Sequence, residues 1–180
     1  MKYILTSILF ISTLYAQNFI LTNEQIKELE TNKYIINTDR ENKSGMIIFD
    51  VKKDIYEVMN NVLNLSAYPQ KIDDVANVEI YLNSYNKVNA RIFIDTFFVG
   101  FDNHVIHDIN RADYTVKWHL DDEKENYFAK MQGYWKFKRV GKNTRVFYFN
   151  QLKFKSWIPS FLESYLFEEG LFKSTQWLKN

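Results

Sequence analysis

Two rhythms of apolar residues divide the chain. Upstream of about residue 75 they recur every three to four positions; from Val78 onward they alternate with polar ones. Segment 53–65 shows the first rhythm. Ile55, Val58, Met59, Val62 and Leu63 fall on one side of a helix. Segment 22–31 (TNEQIKELET) predicts a shorter helix, capped by Thr22 or Asn23, with Glu24 in the first turn where the helix dipole favours an acid. Two short strands, 34–38 and 46–51, are expected between these helices, joined by a polar turn. Pro69 disfavours a helical Tyr68 and so stops the 53–65 helix from continuing; a short helix or loop covers 69–75.

The second rhythm predicts antiparallel strands. Val78, Ile80 and Leu82 alternate along one. Val88, Ala90, Ile92 and Ile94 share a face of the next, with Arg91, Phe93 and Asp95 on the other. Val105 and Ile109, then Tyr114, Val116, Trp118 and Leu120, predict a hairpin closed near residues 111–113. Segments 127–139 and 145–155 form another, closed at 140–143, where Gly141 and Asn143 tolerate positive φ. Residues 158–179 predict a closing helix with Pro159 in its first turn. Helices set apart from a run of antiparallel strands define the α+β class.

A uniform turn of about 100° per residue puts Ile158, Phe161, Leu162, Tyr165 and Phe172 of that last helix on one stripe, together with Glu169 and Gln176. A carboxylate on a core-facing stripe needs a partner or water. Either Glu169 reaches solvent, or the helix lines a cavity in which Glu169 or Tyr165 anchors a ligand.

Composition sharpens this picture in three ways. Fifteen Phe, twelve Tyr and four Trp make 17% of the chain aromatic, enough for a large core or a large cavity lining. The absence of cysteine removes disulfides, thiolate nucleophiles and Cys-ligated zinc. The net charge of +1 lacks the basic footprint of a nucleic-acid binder. At the N-terminus, a positive start and an apolar run to Leu14 precede Ala16-Gln17. That run is too short to span a bilayer and reads as a signal peptide over residues 1–16, directing the mature protein to the periplasm or outside the cell.

Three local segments then carry a resemblance. They are residues 51–58 (VKKDIYEV), residues 65–69 (LSAYP), and residues 133–137 (GYWKF) followed by 143–146 (NTRV) and Trp157-Ile158-Pro159. In this order they resemble the START-like helix-grip superfamily, with its polyketide cyclase and coenzyme Q-binding branches. The resemblance spans residues 45–178; Gln70-Lys71 stand where relatives often carry a Trp. It implies a curved antiparallel sheet wrapped around a long C-terminal helix, two short helices towards the N-terminal side, and a cavity for lipids, isoprenoids, polyketides or other apolar compounds. The chain then divides into the signal peptide, an extension over 17–44 with a short helix and strand, and a START-like domain over 45–180.

The candidate ligand-binding residues are Arg91, Phe93, Trp118, Tyr165, Glu169 and Phe172. Arg91 holds a ligand headgroup if its strand face points inward and is plain surface if it points outward, a choice that one slip of register inverts. Trp118 lines the cavity or packs in the core. His104 and His107 differ by three, so on a strand they point to opposite faces and make no metal pair; each is expected at the surface or hydrogen-bonded. No zinc, phosphate-loop or nucleophile-elbow motif occurs, and no catalytic residue, metal or cofactor is expected. Lys136, Lys138, Arg139, Lys142, Arg145, Lys153 and Lys155 make the last hairpin basic, as a solvated face or as a contact for anionic lipid. The leading reading is an exported carrier of a lipid or other hydrophobic small molecule, in transient contact with a membrane surface. The alternatives are a cyclase-like or hydrolase-like enzyme on an apolar substrate and a protein-interaction module with a filled core.

Overall fold

The computed structural model describes residues 21–96, 99–159, 165 and 169–179. The expected signal peptide, and Phe161 and Leu162 of the last helix, lie outside the described residues.

Helix α1 (Asn23–Glu30) starts in a capping box. The Gln25 amide donates to the Thr22 hydroxyl, and the Gln25 side chain accepts from the Thr22 amide. Strands β1 (Ile35–Asp39) and β2 (Ser44–Val51) follow as a hairpin. Asp54 caps α2 (Ile55–Leu63) by accepting from the Tyr56 amide at 2.9 Å. The apolar stripe foreseen for α2 is the face it buries, through Ile55, Val58, Met59 and Val62.

Tyr68 departs from expectation. It is helical and belongs to the short helix α3 (Tyr68–Lys71), with Pro69 in the first turn. The main helix does end at Leu63, but proline is tolerated where no amide hydrogen is needed. Tertiary contacts fix Tyr68, whose hydroxyl donates to the Val62 carbonyl at 2.7 Å and whose ring packs 5.9 Å from Trp177.

Six further strands complete one antiparallel sheet: β3 (Val75–Asn83), β4 (Lys87–Thr96), β5 (Val99–Asn110), β6 (Thr115–Leu120), β7 (Phe128–Val140) and β8 (Asn143–Phe154). The strand order is β1-β2-β8-β7-β6-β5-β4-β3. Gly141 takes φ +59 in the β7–β8 turn, as its position required. Tyr114 is not a strand residue. It adopts φ 50 in the β5–β6 turn, and its hydroxyl lies 3.0 Å from that of Tyr56. The chain ends in α4 (Gly170–Gln176) and a 3-10 turn, Trp177–Lys179.

The curved sheet has an inner face packed by α2, α3 and α4 and an outer face partly covered by α1. Ile47, Phe49, Val105, Val116, Trp135, Val146, Leu171 and Leu178 belong to the inner core. Leu29 of α1 packs with Ile35, Met46, Ile48 and Phe147 outside. Arg145, read as part of a basic hairpin, is also outside but buried, its guanidinium bonded to Asp50 at 2.8 and 2.9 Å. Arg139 is held by Asp54 at 2.7 Å. These two cations are therefore committed to carboxylates.

Candidate functional site

Strand alternation makes the inner face legible residue by residue. On β5 the inward set is Phe101, Asn103, Val105, His107 and Ile109, all buried. Cross-strand pairing aligns Gly45, Asn150, Gly133, Trp118, His107 and Val88 as one rung across the sheet. The glycines set its relief. A Cβ on Gly45 would lie 2.3 Å from Leu171 of α4, so the C-terminal helix seats there. A Cβ on Gly133 would meet the main-chain oxygen of Phe149 at 2.1 Å and the Trp118 ring at 2.4 Å, so the indole packs against bare backbone. Trp118 stacks at 6.4 Å on Tyr148, which sits 4.2 Å from Trp135 on the neighbouring rung. Burial pushes the Tyr148 hydroxyl well above its ordinary range, and Ser174 of α4 hydrogen-bonds to it.

Polar groups interrupt this aromatic floor. Asn103 has no exposed surface. Its Oδ1 accepts from the amides of Tyr127 and Phe128, both at 3.1 Å, and its Nδ2 has no partner. His107 is buried and its Nδ1 has no partner; burial pulls its pKa down to about 4, which keeps the ring neutral. The Oδ1 of Asn150 is likewise buried and unpaired. Of the two expected placements, His107 is not at the surface; it is buried with one ring nitrogen unpaired. The signal was present in the sequence: Asn103 and His107 share the parity of Val105 and Ile109.

The six candidate residues do not converge. Trp118 is on the inner face. Arg91 is outside, where its Nε donates to both Asp102 oxygens at 3.0 Å and a guanidinium nitrogen lies 3.4 Å from Glu79. That pairing raises the pKa of Arg91 and lowers that of Asp102. Phe93 is outside too, its ring against Gly100. The apolar face of β4, Val88-Ala90-Ile92, took the inward position.

Along the C-terminal helix the buried positions are Leu171, Thr175 and Leu178. Phe172 is 37% exposed and meets Tyr34 edge-on at 5.0 Å, and Glu169 is exposed. The inward face is therefore displaced by one residue from the ideal stripe. Tyr165 and Glu169 are not in regular α-helical turns, so a uniform turn of about 100° per residue from Ile158 does not set the phase of α4. Tyr165 is half-buried and engaged: its hydroxyl donates to Asp74 at 3.2 Å and accepts a short hydrogen bond from Lys173. That bond, with Asp74 nearby, raises the pKa of Lys173.

A groove of about 540 Å³ opens beside the end of β8, between the β1–β2 turn (Glu41, Asn42, Lys43), Lys130, residues 151–154 and Ser156-Trp157-Ile158. Trp157 on its rim is 86% exposed.

No protein-family model and no curated protein matches this sequence. Solved structures do. A STAR-related lipid transfer protein from Xanthomonas axonopodis superposes with a TM-score of 0.70 at 15% identity, over 82% of this chain and 90% of that one. The Zhui aromatase/cyclase from Streptomyces sp. R1128 gives 0.64 at 10% identity, over 81% and 90%. The lipid transfer and protein localization domain of human StarD13 gives 0.62 at 10% identity, over 89% and 98%. Such identities speak to architecture, and the architecture of this chain is the START-like helix-grip fold.

Proposed function

We propose that the protein is a carrier of a hydrophobic small molecule, held between the inner face of the sheet and the C-terminal helix. The observation that carries the reading is the inner rung at Gly133. There the backbone is stripped of side chain, Trp118 packs on it, and polar atoms without partners flank the aromatic floor. A mostly apolar lining with a few polar groups is the usual design of a small-molecule site. Structural neighbours named as lipid transfer proteins and an aromatase/cyclase support an apolar ligand class.

Residues 1–16 direct export in this reading, so the mature chain starts at Gln17. Loading takes place at a membrane. The exposed indole of Trp157, with Lys43, Lys130 and Lys153 along the same groove, suits an anionic lipid surface, the ring entering the interface and the lysines meeting headgroups. Native mass spectrometry of protein purified from its own cells, followed by organic extraction, tests the carrier. A stoichiometric apolar molecule and an N-terminus at Gln17 are expected. A clean apo mass, with no thermal shift from a panel of apolar compounds, overturns it.

A further inference from the structure

We infer that the inner face of β5 recognises hydroxyl or carbonyl oxygens on an otherwise apolar, uncharged ligand, with His107 and Asn103 as the two recognition points. The inference rests on the carrier reading and adds the chemistry of the cargo. An unpaired donor or acceptor in a buried site destabilises the fold, and buried polar groups as a rule have partners. His107 is 6% exposed and Asn103 0%, yet each presents an atom without a hydrogen-bond partner on the inward side of one strand.

Their arrangement is specific. Asn103 is clamped by the Tyr127 and Phe128 amides through Oδ1, so its Nδ2 is a fixed donor and not a side chain free to turn away. His107 stands across from Trp118, and Val105 between the two polar residues stands across from Leu120. Four residues of extended strand separate Asn103 from His107 by roughly 13 Å. An apolar body against Trp118, Val105 and Leu120 therefore brings oxygen atoms to one or both polar points.

The same surroundings exclude charge. An amide and a neutral imidazole give a carboxylate or phosphate no countercharge. Arg145 is committed to Asp50 on the outer face, and Lys173 to Tyr165 and Asp74. A desolvated anion without a cation is strongly disfavoured.

The test is fluorescence titration of the full chain with three flat probes of one body: 1-pyrenemethanol, 1-methylpyrene and 1-pyrenecarboxylate. The alcohol is expected to bind about tenfold tighter than the hydrocarbon, for one hydrogen bond gained, and the carboxylate weakest of the three. In His107→Leu the advantage of the alcohol disappears while methylpyrene binds as before. In His107→Gln, whose amide still hydrogen-bonds, part of it returns, which separates recognition from mere loss of packing; circular dichroism shows that both variants fold.

Equal affinity for the alcohol and the hydrocarbon in the native protein overturns the inference. Ordered water then serves the polar atoms, and the carrier reading survives because both probes bind. An undiminished preference in His107→Leu also overturns the role of His107. Failure of every probe to bind overturns the inference as well, and the co-purified ligand then decides the carrier reading on its own.

Discussion

On the outer face of β5, Asp102 pairs with Arg91, the His104 ring lies 2.9 Å from the Glu125 carbonyl, and Asp108 lies 3.6 Å from Lys87 and 3.5 Å from His119, all beside solvent. On the inner face of the same strand, Asn103 and His107 are buried and each carries one polar atom without a partner. Outside, water and neighbouring charges satisfy polar groups at little cost, so polarity there reports only solubility. Inside, polarity works against folding, and its presence asks for an explanation from function. The comparison locates the site better than any list of reactive residue types.

Three measurements bear on it. The largest effect is expected from a pair of glycines. Gly133→Ala pushes a methyl group into the Phe149 main chain and Trp118, and is expected to destabilise by about 3 kcal/mol and displace the indole. Gly100→Ala, on the outer face, meets first the far end of the Phe93 ring, a side chain that can shift, and is expected to cost less than about 1 kcal/mol. Equal losses in urea unfolding would erase the distinction between the faces.

The second effect is one of pH. Burial pulls His107 down to about 4 from an ordinary 6.5, so the unfolded chain accepts a proton that the folded chain refuses. His107 therefore contributes no loss above pH 6.5, and stability falls as pH drops from there towards 4. Between pH 7 and 5 the fall is about 2 kcal/mol. His107→Gln should flatten that part of the profile; an unchanged slope would mean that the ring is hydrated.

The smallest effect concerns Arg91. Its ion pairs are exposed, and exposed pairs contribute little. Arg91→Ala is expected to leave both the melting temperature and probe binding unchanged within error, and a loss of binding would return Arg91 to the site.

Much of the architecture was legible in the chain. The stripe of α2, the alternation along β4 to β8 and the Gly141 turn each follow from local rules, because spacing alone decides them. The alternation groups Arg91 and Phe93 on one face of their strand, and only the packing of Val88, Ala90 and Ile92 decides that this face is outside. The helical state of Tyr68 and the left-handed backbone of Tyr114 depend on contacts with Trp177 and Tyr56, which no local pattern contains. The displaced face of the C-terminal helix reflects the assumption of one uniform turn from Ile158, whereas Tyr165 and Glu169 are not in regular α-helical turns. Asn103 and His107 were hidden by their residue types, since a histidine between Asp102 and Asp108 reads as surface until strand parity is applied.

The strand order has a consequence for how the molecule comes into being. Near one edge of the sheet β2 pairs with β8, Ser44 with Gln151 and Val51 with Thr144, so about a hundred residues of chain separate partners that must meet. Contacts so distant along the chain slow folding, because the loop between them must close before the pairing stabilises it. During synthesis the β1–β2 hairpin and the β3–β7 segment can form, but β2 lacks its second neighbour until β8 has been made. The sheet of the nascent chain therefore cannot be completed before its last strand has been made.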